Sequence, residues 1–181
     1  MQFFHSTTNA YDARQVLCGS DRTYPGDRAK FEDRLAALRG PLHRDRRKSL
    51  FVTSTEYCAR VYLEAQFGQG LFNSRSVAEP RLYRVECEDL SGHPMALLEL
   101  ASRAMRQQRP DQFKAIASEY WSPEPKHEWH YFEFLAETFT VVEELDRHAL
   151  NAVLCQCAWE DYIRDQRTAK TIFGLPTAGA R

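Results

Sequence analysis

The chain has no apolar run approaching the ~18 residues that a transmembrane helix needs, so no membrane span is expected. Its N-terminus shows no charged segment followed by an apolar one, so no secretory signal is expected either. Neither sign of charge is in excess: 24 Lys and Arg face 25 Asp and Glu. General nucleic-acid binding usually shows as a basic excess, and that support is missing. The five cysteines, at 18, 58, 87, 155 and 157, are odd in number and scattered. That argues against a disulfide framework and for reduced thiols in a cytosolic setting. Cys155-Gln156-Cys157 has no second pair at zinc-finger spacing, so no metal is expected there. The sequence also shows no internal repeat and no low-complexity segment.

At 181 residues and 43% hydrophobic content, residues 1–181 are expected to form one domain with a real core. Residues 2–5 read as a strand and residues 10–17 as a helix closed by Gly19. Residues 19–30 read as loop. Phe31, Leu35 and Leu38 recur at helical spacing, stopped by Gly40-Pro41. The longest basic run, His43-Arg44-Asp45-Arg46-Arg47-Lys48, reads as a solvated loop, with an anion or nucleic-acid contact as its functional alternative. Residues 49–53 read as a strand, and Ser54 or Thr55 can cap the helix that follows, which Gly68 and Gly70 end. Residues 81–87 look β-like and residues 90–94 look like a turn. Two helices, 95–105 and 111–121, are split by Pro110. Residues 131–135 and 139–142 are strand-like. Residues 145–164 suit a long helix with Leu150, Val153, Leu154, Cys157 and Ile163 as its apolar stripe, and residues 175–181 are expected to fray. The result is an α+β chain: a split, mostly antiparallel sheet with flanking helices.

Three stretches carry candidate chemistry. Phe3-Phe4-His5-Ser6-Thr7 ends a strand with a histidine. The stretch from Leu50 to Tyr62 joins a short strand to a hydroxyl-rich helix start, and Tyr62 stands eleven residues after Phe51. Tyr131-Phe132-Glu133-Phe134-Leu135-Ala136 sets a carboxylate within an apolar strand, where burial is costly unless the charge is paired. In this order they resemble the motifs of the ADP-ribosyltransferase superfamily, of the type in which His, an aromatic and Glu from separate strands surround NAD. The resemblance covers residues 2–7, 49–68, 81–90 and 129–142.

It implies an ADP-ribosyltransferase-like fold with NAD as co-substrate and no metal. The implied reaction is mono-ADP-ribosyl transfer to a macromolecular acceptor, a protein rather than nucleic acid, with release of nicotinamide. NAD glycohydrolysis, and binding of NAD or a partner without turnover, stand as alternatives. By the same resemblance, His5 would bond the nicotinamide-side ribose. Ser6, where the family has Gly, would offer its backbone to the carboxamide, with Thr7 completing the motif. Phe51 would line the cleft and Tyr62 would stack on nicotinamide, since flat rings suit a planar pyridinium. Ala59 stands where one branch has a carboxamide-binding Ser, and Thr53 or Ser54 is the candidate replacement hydroxyl. Glu133 would stabilise the oxocarbenium-like charge as nicotinamide leaves. Tyr131 stands two residues before it, where many toxin-type members carry Glu or Gln, which argues against the arginine-modifying pattern.

Glu137 competes with Glu133, being expected on the same strand face. His127, Glu128 and His130 read equally as a loop packed near the substrate or as a ligand set, although His-x-x-His lacks the i, i+4 spacing of a zinc helix. Residues 89–93 are candidates for the edge of the cleft. By analogy, the chain is expected in the cytoplasm, as an enzyme or as a toxin or effector delivered into a host cell.

Overall fold

A computed structural model describes residues 1–41, 43–68, 81–146 and 148–174. The aromatic N-terminal segment forms β1 (Gln2–Thr7), which pairs antiparallel with β4 (Arg81–Glu86), His5 opposite Tyr83. β4 pairs with β7 (Thr138–Leu145), and β2 (Val16–Cys18) closes the far edge, giving a four-stranded sheet in the order β1-β4-β7-β2. A second antiparallel sheet has the order β3-β6-β5, from β3 (Leu50–Val52), β6 (Phe132–Ala136) and β5 (Ser91–Pro94).

Among the described residues one isolated bridge joins the two sheets. Phe4 and Thr53 exchange backbone hydrogen bonds of 3.0 and 2.8 Å, an isolated bridge between β1 and the end of β3. A single bridge holds two strand ends together without zipping them into one sheet. The architecture is therefore α+β, with the sheet divided.

Among the described residues five α-helices pack around it: α1 (Gly26–Ala37), α2 (Glu56–Gly68), α3 (Met95–Arg106), α4 (Pro110–Tyr120) and α5 (Ala152–Phe173). Phe31 and Leu35 of α1 join Leu97, Leu100, Ile116, Trp121 and Leu135 in the larger core. α2 lies against β1 and α5, so its first turns are held beside the inter-sheet bridge. Thr55 caps it as expected, its hydroxyl accepting from Cys58 N at 3.1 Å. Asp165 of α5 is buried and accepts from the backbone N–H of His130 (2.9 Å) and Tyr131 (2.8 Å). It thereby fixes the chain just before β6.

Several expectations need correction. Residues 10–17 are not a helix: Arg14 takes a left-handed φ of 67°, and residues 16–18 instead add β2 to the edge of β7. Helix α1 already begins at Gly26, inside the expected loop 19–30. Residues 90–94 hold β5, drawn into the ladder by β6. Residues 145–146 and 148–151 are not helical; β7 runs through Leu145, and Asn151 caps α5 by accepting from Val153 N and Leu154 N. The expected stripe fails with it. Val153 is 70% exposed, and the buried face is Ala158, Tyr162, Asp165, Gln166 and Ala169. Those positions follow the 3.6-residue period once the helix starts at 152. Gly70 and residues 175–181 lie outside the described residues.

Gly19 does not stop a helix. Its N–H donates 2.7 Å to Glu137 O, and a Cβ there would fall 1.8 Å from Lys48 O. The backbone of the 3₁₀ turn Arg46–Lys48 needs that close approach. Gly19→Ala is therefore expected to cost about 2 kcal/mol or more of unfolding free energy, read by urea denaturation. An alanine variant as stable as the parent would contradict this packing.

Candidate functional site

Where β1 and β3 part, a cleft of about 320 Å³ opens, within the small-molecule range. The end of β1 and the segment after it supply Phe4 to Asn9 and Tyr11. β3 and its continuation supply Leu50 to Thr53, and α2 supplies Tyr62 and Leu63. Arg22 enters from the loop before α1, and Glu133 from β6. His5, Ser6, Thr7, Phe51, Thr53, Tyr62 and Glu133 thus line one cleft, although they span residues 5 to 133. Ala59 does not join them; it is fully buried core.

His5 is buried, and its Nδ1 lies 2.8 Å from Phe51 O. A carbonyl only accepts, so Nδ1 is assigned the proton and Nε2 is left as an acceptor. Burial lowers the imidazole pKa to about 4, against the opposing bond to Phe51, and the Arg22 charge adds to the fall. The ring is therefore neutral at pH 7. Phe51 is half-buried, with the guanidinium of Arg22 4.6 Å and that of Arg46 4.7 Å from its ring centroid. Burial raises the Tyr62 phenol pKa. Thr53 Oγ1 donates 3.0 Å to Thr55 O, so its hydroxyl proton is already engaged.

Glu133 is 3% exposed. Its Oε1 accepts from the Tyr120 hydroxyl at 2.6 Å and from Arg46 Nη1. Arg46, 4% exposed, also donates 2.7 Å to the Tyr120 oxygen and pairs through Nε with Glu32 at 3.4 Å. Arg28 Nη2 meets the other Glu32 oxygen at 2.7 Å. Burial works against the charge of Arg46, but Tyr120 and Glu32 outweigh it and its pKa is raised. Four groups thus alternate in sign, Arg28, Glu32, Arg46 and Glu133, three of them buried.

The basic run is therefore not the solvated loop expected. Arg44 and Arg47 do stay at the surface, paired with Glu137 and Asp33, but Arg46 turns inward from the 3₁₀ turn. Glu137 was expected beside Glu133 on one strand face. Instead it falls one residue past the end of β6, with its side chain 73% exposed and 2.8 Å from Arg44 Nη1, outside the cleft. The 127–130 cluster is divided between two carboxylates. His127 Nδ1 lies 3.1 Å from Glu119, and His130 Nδ1 lies 2.9 Å from Asp165. Among the described residues no group of three or more such side chains is placed to hold a metal.

Residues 89–93 do not edge the cleft. His93 is fully buried, bonded to Tyr120 O (2.9 Å) and Ser91 Oγ (3.1 Å), with its ring stacked 4.8 Å from that of Tyr120. It holds Tyr120, which in turn holds Glu133. Its pKa, like that of His5, is lowered to about 4 by burial. Arg22, Arg46 and Tyr120 are the residues that sequence reasoning missed. Tyr120 left a trace, since it continues the Phe113, Ile116, Ala117 face of α4 and a buried phenol needs a partner.

Comparison with known proteins gave no matching family model, curated sequence or solved structure.

Arg46→Met should remove about 3–5 kcal/mol at pH 7, because two buried carboxylates lose their shared cation. A variant equal to wild type in urea at pH 7 would show that the network does not hold the fold. A second test concerns the histidines. His5 and His93 sit near 4 when folded against an ordinary imidazole value of 6.5, so the unfolded chain binds more protons between those values. Their contribution is complete above pH 6.5 and is lost as pH falls toward 4, by about 3 kcal/mol each. Histidine NMR titration should show two rings still neutral at pH 5; if every ring titrates near 6.5, this burial is wrong.

Proposed function

We propose that the cleft binds NAD and that the chain transfers ADP-ribose to a macromolecular acceptor, releasing nicotinamide. One observation carries this reading: a neutral histidine, two aromatic rings and a buried carboxylate, from four separate elements, line the same cleft. These are the groups the resemblance to ADP-ribosyltransferases requires, in the order it requires them.

In this reading His5 Nε2 accepts from a hydroxyl of the nicotinamide ribose, and the backbone after it pairs with the carboxamide. Tyr62 packs against the nicotinamide ring and Phe51 lines the wall beside it. The C1′–N bond breaks with its electron pair leaving on nicotinamide. Positive charge passes from the pyridinium to the ribose, and Glu133 stabilises it there. Arg46, Arg28 and Arg22 all act on Tyr62 as positive neighbours. An acceptor nucleophile then bonds to C1′ and gives up its proton. Arg46 and Tyr120 hold the Glu133 carboxylate aimed.

Binding without turnover is the second reading, favoured by one observation: Arg46 and Tyr120 already occupy Glu133 Oε1. Labelled NAD, incubated with the chain and a cell lysate, separates the two. Label on a macromolecule supports transfer; free ADP-ribose alone indicates hydrolysis; intact NAD that still binds indicates the second reading. Glu133→Gln keeps shape and loses charge, so turnover should fall about a hundredfold while NAD affinity changes far less. Glu137→Gln, at the exposed Arg44 pair, should stay within a few-fold. Full activity in Glu133→Gln would refute the mechanism.

A further inference from the structure

Of the residues lining the cleft, only Arg22 and Glu133 carry formal charge at neutral pH. Glu133 is met by Arg46. Arg22 has no carboxylate partner among the described residues, unlike Arg28, Arg44, Arg46 and Arg47, each of which has one. Its neighbour Asp21 pairs with Lys48 instead. The Arg22 backbone is fastened, its N–H donating 2.9 Å to Arg47 O, and its guanidinium rests over Phe51 at 4.6 Å. The side chain is half-buried, and its charge is felt by both His5 and Tyr62. A partly desolvated guanidinium without a counter-ion, held on an aromatic platform inside a cleft, is a site waiting for an anion.

The rest of the cleft narrows the choice of anion. It offers flat rings at Phe51 and Tyr62, a third at Tyr11 lying nearly parallel to His5 with centroids 6.0 Å apart, and an imidazole acceptor for a hydroxyl. A ligand that joins rings and sugar hydroxyls through an anionic bridge matches all of these. We infer that Arg22 is the anion subsite of the cleft and takes the diphosphate of a nucleotide there. This rests on the nucleotide part of the reading above, but not on any turnover.

The test is calorimetric titration of the full chain with ADP-ribose, ADP, adenosine and inorganic phosphate. Wild type, Arg22→Gln and Arg22→Lys are compared. Losing one charge-assisted contact to phosphate should weaken ADP-ribose and ADP by about tenfold or more in Arg22→Gln, with Arg22→Lys in between. Adenosine should be unaffected. ADP-ribose affinity within twofold of wild type in Arg22→Gln would overturn the assignment, as would binding of inorganic phosphate alone. Should Arg22→Gln not fold, wild type decides: affinity that stays flat as salt rises from about 0.05 to 0.3 M overturns it. Arg22-dependent ADP-ribose binding without labelling of any lysate component refutes transfer and leaves the subsite standing. Labelling with an Arg22-independent affinity does the reverse.

Discussion

Arg46 is the cation around which the interior is arranged. Glu32 on α1, Tyr120 on α4 and Glu133 on β6 come from three elements far apart in sequence, and each is buried against its guanidinium. A carboxylate buried without a partner costs several kcal/mol. The fold can therefore carry Glu133 to the cleft wall only if the 3₁₀ turn delivers Arg46 to the same point. The close approach of Gly19 to Lys48, and the backbone bond from Arg22 to Arg47, brace that turn from outside. Structural support and candidate chemistry thus share one set of residues.

The divided sheet follows the same logic. Among the described residues the backbone of β1 bridges to the end of β3 at Phe4 and Thr53, and the cleft lies between the His5 strand and the Phe51 strand. The bond from His5 Nδ1 to Phe51 O spans that junction and fixes the imidazole tautomer. The β6 strand bearing Glu133 is secured ahead of itself by Asp165 and beside itself by β5, where His93 stands opposite Glu133. Behind that pair, His93 stacks on Tyr120. A site built on strands held this way keeps its side chains in fixed positions, which suits stabilisation of a developing charge.

The sequence revealed most where a local rule and the tertiary structure agree. The helix at Phe31 and Leu35, the strand at Leu50, the Thr55 cap and the β6 carboxylate were all legible, since period, capping and the cost of a buried charge are local signals. The strand at Val16–Cys18 and the late start of α5 were not. Both depend on which edges the neighbouring strand β7 leaves to be paired. The inward turn of Arg46 was the deepest omission. Within a run of basic residues nothing local distinguishes the one whose partners, Glu32 and Glu133, lie 14 residues before it and 87 after it. Arg22 was silent for the opposite reason, because what marks it is the lack of a carboxylate partner among the described residues.

The proposed occupant of the cleft between β1 and β3 is NAD. Hydrogen exchange of the full chain, followed by mass spectrometry with and without NAD, tests it most directly. With NAD bound there, exchange should slow in peptides covering residues 2–11, 50–63 and 131–136, with little change in α3 and α5. Protection confined to other segments, or none at saturating NAD, would contradict it.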